Sequence, residues 1–268
     1  MHGEDIGMKL CFSGNYENYS LHNHSNWSDG AEDLDVMCRT AKEAGIKVFG
    51  MSDHWVEPPG EGFDSESWSM DLSKLDLYVE NMQKLKDELE DDNFTLLTGL
   101  EVDFFFENID QVLSRLQQYP LDYLIGSVHY SGKFPIDYSI DDWIGLSEEE
   151  KDGICREYWR KLSGAARRRE FLFIGHLDLP KKFGLVDNEK YFGQALEVLD
   201  IIRDNGGAIE LNTAGFFKEC KEPYPSPAIL QEAYARRIPV IVSADAHHPD
   251  HVKRNFHEAG SMLHLAGY

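Results

Sequence analysis

Cysteine, long apolar runs and positive charge are all scarce in this chain, and each scarcity excludes something. The 268 residues contain four cysteines, Cys11, Cys38, Cys155 and Cys220. They lie far apart with no C-x-x-C pair, so neither a zinc knuckle nor a disulfide framework is indicated, and a reducing cytoplasm fits best. No apolar run approaches the roughly 18 residues of a membrane span. Met1 to Gly14 mixes charge with glycine where a signal peptide would be apolar. Lysine and arginine total 26 against 48 acidic residues, a formal charge of -22. That charge favours solubility and repels phosphate backbones at long range, so nucleic acid is not expected as a main partner, nor is a membrane. In so acidic a protein, bound divalent cations are the most economical source of the local positive charge that a small phosphorylated substrate needs.

Short β-rich runs alternate with longer helical patterns from Tyr19 onward, the mark of a parallel α/β sheet or barrel. The length suits one large domain, 19–268, preceded by an N-terminal extension, 1–18. Seven runs are countable, ending near His24 (YSLHNH), Ser52 (IKVFGMS), Glu101 (FTLLTGLE), His129 (YLIGSVH), His176 (FLFIGH), Asn212 (AIELN) and Asp245 (PVIVSAD). Apolar periodicity predicts helices over Leu34–Ala44, Asp71–Asp91 and Asn188–Asn205, the first and last stopped by Gly45 and Gly206. The stretch from Glu57 to Ser69 reads as one long loop above the sheet, a candidate lid.

The chemistry gathers at the ends of these runs. His22 and His24, two apart on a strand, leave the same face and can grip one ion. Asp245 and His247 repeat that spacing. Ser52-Asp53-His54, Glu101-Val102-Asp103, His129 and His176-Leu177-Asp178 close other runs. In a barrel the C-terminal strand ends converge on one mouth, where active sites of this architecture sit. A polar residue near a turn explains any one of these positions, but not six strands at once. Mixed nitrogen and oxygen donors suit Zn²⁺, Mn²⁺ or Fe²⁺ better than thiolate-rich sites do. Glu101 has two oxygens with which to bridge two ions. Asp29, in the turn Ser28-Asp29-Gly30, is a further candidate ligand, although S-D-G is also an ordinary turn before a helix.

In order, LHNHSNWSDG, MSDH, GLEVDF, GSVHY, GHLDLPKKFG, ELNTAG and SADAHHP resemble the successive motifs of the PHP (polymerase and histidinol phosphatase) family over nearly the whole chain after Tyr19. GLEVD, GSVHY, HLDL-KKFG and LNTAG followed by YPSP are most similar to its histidinol-phosphatase branch. The resemblance implies a distorted seven-stranded (β/α)7 TIM-like barrel and up to three divalent metals. It implies that His22, His24, Glu101 and Asp245 hold the first, Glu101, His129 and His176 the second, and Asp29, His54 and His247 the third.

The activity expected is hydrolysis of a phosphate monoester, L-histidinol phosphate first, by a metal-activated hydroxide and without a covalent intermediate. Enhancements up to about 10²¹ for such esters exceed by far the roughly 10² to 10⁴ of side-chain acid and base alone, so metals must supply most of the rest. Asp245, Glu101 and His247 are the expected catalytic groups, with a metal-side histidine or Asp178 protonating the leaving alcohol. Lys181, Lys182, Lys218 and Arg254 are the candidate phosphate ligands. Glu57, Glu61 and Asp64 are available to receive a cationic substrate from the lid. One departure from the resemblance stands out. Relatives often place a basic residue two positions beyond the glycine of LNTAG, where this chain has Phe216-Phe217 before Lys218; either the task passes to Lys218 or the metals, or the two rings simply pack under the Glu219–Tyr224 loop and phosphate binding is unchanged. A PHP phosphoesterase for another small phosphate or nucleotide, and a metal-binding module without turnover, are the competing readings.

Overall fold

The computed structural model describes residues 16–268; residues 1–15 of the expected extension, with Cys11, lie outside the described residues. Ten strands follow in chain order: β1 (Tyr19–Ser20), β2 (Val48–Met51), β3 (His54–Trp55), β4 (Thr95–Asp103), β5 (Tyr123–Ser127), β6 (Tyr130–Ser131), β7 (Phe134–Pro135), β8 (Phe173–Ile174), β9 (Ile209–Asn212) and β10 (Val240–Ser243). All but the small antiparallel β6–β7 hairpin belong to one parallel sheet, ordered β1-β2-β4-β5-β8-β9-β10, with β3 also on β4. β2 and β3 are one strand in two pieces. Val48 pairs with Thr95 and His54 with Glu101, so the register on β4 carries through the break. Counted this way, the seven strands are the seven runs read from the sequence.

The sheet nearly closes. Asn23 bridges Ala246 in parallel, with His24 N donating to the Ala246 carbonyl at 2.9 Å and Ala246 N to the His22 carbonyl at 3.3 Å. The seam is short because β1 is only two residues long. It nevertheless sets the two metal-ligand runs of the first and last strands side by side.

Among the described residues eight α-helices follow: α1 (Leu34–Glu43), α2 (Leu75–Leu89), α3 (Ile109–Leu116), α4 (Ile140–Trp143), α5 (Glu148–Ala166), α6 (Phe192–Asn205), α7 (Pro227–Ala235) and α8 (Phe256–Ala266). Their ends follow local chemistry. The Asp33 carboxylate accepts from Val36 N to start α1, Ser147 and Glu150 form a reciprocal cap on α5, and Gly206, at φ 70°, closes α6 in the left-handed conformation. The Glu57–Ser69 stretch contains no helix or strand, as its composition predicts.

Alternation along β4 divides two environments. Leu96, Leu100 and Val102 join the layer between sheet and helices, while Leu97 joins Tyr19, Leu21, Tyr123, Ile125, Phe173, Ala208 and Ile241 inside the barrel. Gly99, Glu101 and Asp103 continue the inner face toward the mouth. Tyr123 fills the middle of the barrel: its hydroxyl donates to the Leu21 carbonyl at 2.6 Å, and its ring occupies space that a Cβ on Gly50 or Gly99 would overlap. This plug is the floor beneath the mouth. Gly99→Ala is therefore expected to lower stability by about 1–3 kcal/mol through overpacking, and Tyr123→Phe by about 1–3 kcal/mol by leaving a buried carbonyl unpaired. Denaturant titration checks both; changes within about 0.5 kcal/mol would mean that the interior is not filled as described.

Candidate metal centre

Period-two placement delivers the ligands. His22 and His24 leave the first strand's exit on one side, Glu101 and Asp103 leave β4 inward, and Asp245 extends the inner face of Ile241 and Ser243 on the last strand. His54 lies beside Glu101 through the strand register. Asp245 holds φ 50° and His176 φ 20°, a region rare for non-glycine residues and one that recurs at functional sites.

Glu101 is the hub. Its Oε2 lies 2.8 Å from His54 Nδ1, 3.1 Å from His22 Nε2 and 3.6 Å from His24 Nε2. Its Oε1 lies 2.8 Å from His176 Nε2 and 3.5 Å from His129 Nε2. Asp245 Oδ1 stands 3.1 Å from His24 Nε2, 3.5 Å from His22 Nε2 and 3.6 Å from His247 Nδ1. Asp29 Oδ1 lies 3.3 Å from His247 Nε2 and 3.6 Å from His54 Nε2. All nine residues named as candidate ligands thus share one mouth. Four sets present donor atoms within 4.8 Å of one another: His22, His24 and Asp245; His22, Glu101 and His176; His54, Glu101 and His129; and His24, Asp29, His54 and His247. The last takes in His24 as well as the trio that the resemblance groups together, so His24 lies between two sets.

The donors also fit cations chemically. His22 Nε2, both ring nitrogens of His24, Glu101 Oε2 and Asp245 Oδ1 are buried without a hydrogen-bond partner of acceptable geometry. Buried polar atoms are rarely left so, and an ion is a standard resolution. Burial lowers the pKa of His24 to about 3, with His54 and His247 adding to the effect, which leaves a neutral imidazole ready to coordinate. Burial opposes charge on His54 too, but Glu101 and Asp29 override it and raise that imidazole to about 9. Burial likewise works against the anions of Glu101 and Asp245, yet surrounding imidazoles, His22 foremost for each, hold both well below the usual carboxylate range. Protons on the imidazoles are what the carboxylates attract when no cation is bound.

A second ring of groups holds the ligands still: Asp53, Asp103 and Asn212, read in the sequence only as residues at strand ends, and Glu210, unforeseen there. Glu210, fully buried on β9, takes His22 Nδ1 at 2.6 Å, the His176 amide at 2.7 Å and the Ser243 hydroxyl. That bond directs His22 Nε2 at Glu101 and Asp245. Asn212 Nδ2 holds Asp245 Oδ2 at 3.1 Å. Asp103 accepts the His129 amide at 3.0 Å, and Asp53 gathers Ser25 and Ser28 beneath the turn that carries Asp29. Alternation carried the signal: in Ala208-Ile209-Glu210-Leu211-Asn212 the polar residues share the inner face.

Above the cluster lies a cavity of about 530 Å³, lined by Asp29, His54, His129, His176, Asp245 and His247 on its floor. The candidate cations divide. Lys218 and Arg254 line it and join no ion pair among the described residues. Lys182 lines it while donating to the Asp137 carbonyl at 2.5 Å and carboxylate at 3.1 Å. Lys181 does not face it, contrary to expectation. It is buried, donating to the Pro223 carbonyl at 2.8 Å and paired with Asp178 at 3.1 Å and Glu222 at 3.2 Å. The same contacts correct the reading of Asp178 as a proton donor: its carboxylate faces Lys181 and accepts from Ser226 N at 2.9 Å, away from the cavity. Glu57 pairs with Arg115 and accepts from Trp55 instead of lining the cavity, and neither Glu61 nor Asp64 reaches it. What the lid contributes is Trp68, edge-on to His54 and His129. Asp137, Tyr138 and His251 also line the cavity, unforeseen in the sequence.

A parallel barrel with an imidazole and carboxylate mouth defines a class of metal-dependent hydrolases, and a model of the PHP domain matches residues 20–214. The chain belongs to the PHP family. Within it, the chain is similar to proteins named histidinol-phosphatase or probable histidinol-phosphatase, and to one named only a probable phosphatase. It is 36% identical to the probable histidinol-phosphatase of Deinococcus radiodurans over 85% of each chain, and 26% identical to the histidinol-phosphatase of Bacillus subtilis over 80% of this chain and 87% of that one. Among solved structures, histidinol phosphate phosphatase from Lactococcus lactis, complexed with zinc, L-histidinol and phosphate, has the same fold, with a TM-score of 0.77, 19% identity and 94% of each chain covered.

Two outcomes follow from the electrostatics. The His54 pKa is raised from 6.5 to about 9, so its stabilising contribution to the metal-free protein is complete below about pH 6.5 and lost as pH rises through about 9. Cation binding needs the neutral ring and should strengthen over that interval. Denaturation of chelator-stripped protein and calorimetric metal titration from pH 6.5 to 9 should therefore move in opposite directions; parallel movement would remove His54 from the site. Glu101→Gln, lacking two anionic oxygens, should carry far less transition metal by elemental analysis than the unmodified protein, which should hold more than one equivalent.

Proposed function

We propose that this chain hydrolyses L-histidinol phosphate to L-histidinol and inorganic phosphate, a step of histidine biosynthesis, in the cytoplasm. The observation that carries the reading is the juxtaposition of nine ligand-type residues at one barrel mouth, six of them lining a cavity that Lys218 and Arg254 also line. No helix among the described residues is long and apolar enough to cross a membrane. The cofactors are up to three divalent ions, zinc, manganese or iron, held by His22, His24, Asp29, His54, Glu101, His129, His176, Asp245 and His247. When bound, such ions place the phosphoryl group, make water a stronger nucleophile and neutralise developing charge.

The chain's own groups then have distinct tasks. Asp245 is held by Asn212 through one oxygen and keeps the other toward His24 and His247, where it orients the attacking water. Glu101 spans two ligand sets through its separate oxygens. Lys218 and Arg254 take the phosphate oxygens left over, and Lys182 stands beside them. Asp137, whose carboxylate is held near 2 against burial by Lys182 first and His129 next, gives the same wall an anion for the ammonium or imidazole of the substrate. The bond from phosphorus to the ester oxygen breaks, a water oxygen replaces it, and the proton that the water gives up is matched by one that a histidine of the cluster delivers to the leaving alcohol.

Phosphate release across histidinol phosphate, p-nitrophenyl phosphate, nucleoside monophosphates and single-stranded DNA tests the assignment. kcat/KM for histidinol phosphate should exceed that for p-nitrophenyl phosphate by more than about tenfold, because buried polar groups discriminate against a substrate that leaves them unpaired. Lys218→Ala should lower it. Equal efficiency on the two esters, or preference for a nucleotide, would overturn the substrate and leave the metal chemistry standing.

A further inference from the structure

Phe217 is half exposed at the cavity wall, an uncommon place for a large ring in a polar site. It ends the 3₁₀ turn Thr213–Phe217 that follows β9. The Arg254 guanidinium lies over its face, 3.9 Å from guanidinium carbon to ring centroid. Arg254 comes from a different part of the chain, beyond β10, just before Asn255 at φ 60° and the start of α8. The two segments are tied where they meet, since the Thr213 hydroxyl donates to the Arg254 carbonyl at 2.7 Å. Arg254 Nε is buried with no hydrogen-bond partner, and no carboxylate pairs with the group among the described residues. This arginine is therefore located by a ring and one backbone tie while its donors stay uncommitted. A stacked guanidinium keeps its edge donors available in its own plane, where an anion's oxygens approach.

We propose that Phe217 is a positioning residue for phosphate. Its ring holds Arg254 at the cavity wall so that the guanidinium edge meets phosphate oxygens that bound cations leave free. The inference rests on the phosphatase reading above.

The experiment uses the full chain, loaded with metal, and compares Phe217→Ala, Phe217→Leu, Phe217→Tyr and Arg254→Ala with Phe217→Ala/Arg254→Ala. Competitive inhibition by inorganic phosphate, calorimetric phosphate binding, and separate kcat and KM for histidinol phosphate are read, with circular dichroism and thermal midpoints confirming folding. Phe217→Ala should raise the phosphate inhibition constant and KM about three- to tenfold, the range of a partly desolvated cation–π contact, with a smaller change in kcat. Tyr should restore binding and Leu should not. On the Arg254→Ala background, loss of the ring should change phosphate binding by less than about twofold, because the two act as a unit. Unaltered phosphate binding in Phe217→Ala, equal rescue by Leu, or an undiminished effect without Arg254 would each overturn the proposal. Unmodified protein that hydrolyses no phosphate ester would instead strike the phosphatase reading on which it rests.

Discussion

One buried carboxylate organises this molecule. Glu101 has almost no solvent contact, and five imidazoles stand within 3.6 Å of its two oxygens. An unpaired ion in such a place would cost several kcal/mol, so the surroundings must supply positive charge, from protons or from cations. Much of the architecture serves that need. β4, the longest strand among the described residues, places Glu101 on the inner face at the mouth, the β2–β3 register brings His54 to it, and the seam at Asn23 and Ala246 adds the ligands of the first and last strands. Beneath, Tyr123 closes the floor, so the charged layer sits on a dry apolar one. A barrel core can be packed with almost any well-fitting apolar residues; this mouth cannot be built from them.

The acidity of the chain acquires a meaning in this setting. With a formal charge of -22, the protein surface does not attract a phosphate, and the cavity must do so locally. The cluster floor and the wall carrying Lys182, Lys218 and Arg254 form such a region. Asp137 inside that wall fits a substrate with cationic groups at one end and phosphate at the other. The lid's acidic residues take no part in this arrangement, and its aromatic Trp68 does.

How much was legible in the sequence depended on which physical rule placed each residue. Strand ends were readable because alternation puts i and i+2 on one face, so His22 with His24 and Asp245 with His247 could be paired before any coordinates. The same rule would have found Glu210, whose inward position follows from Ile209 and Leu211 facing the helices. Lys181 and Lys182 mark a real limit. They are adjacent on one short 3₁₀ turn, and only the location of Asp178, Pro223 and Asp137 decides which lysine is buried and which reaches the cavity. Phe217 is a similar case. Its partner lies 37 positions away in the sequence, and no local pattern announces a ring that carries another element's charge.

Crystals of the purified protein, measured at the absorption edges of zinc, manganese and iron, test the central claim most directly. Anomalous peaks should fall at the mouth about 2.0–2.2 Å from Glu101 oxygens and from the nitrogens of His22, His24 or His176, and should vanish after chelation together with phosphatase activity. An active crystal form with no anomalous scatterer in reach of Glu101 would contradict the account.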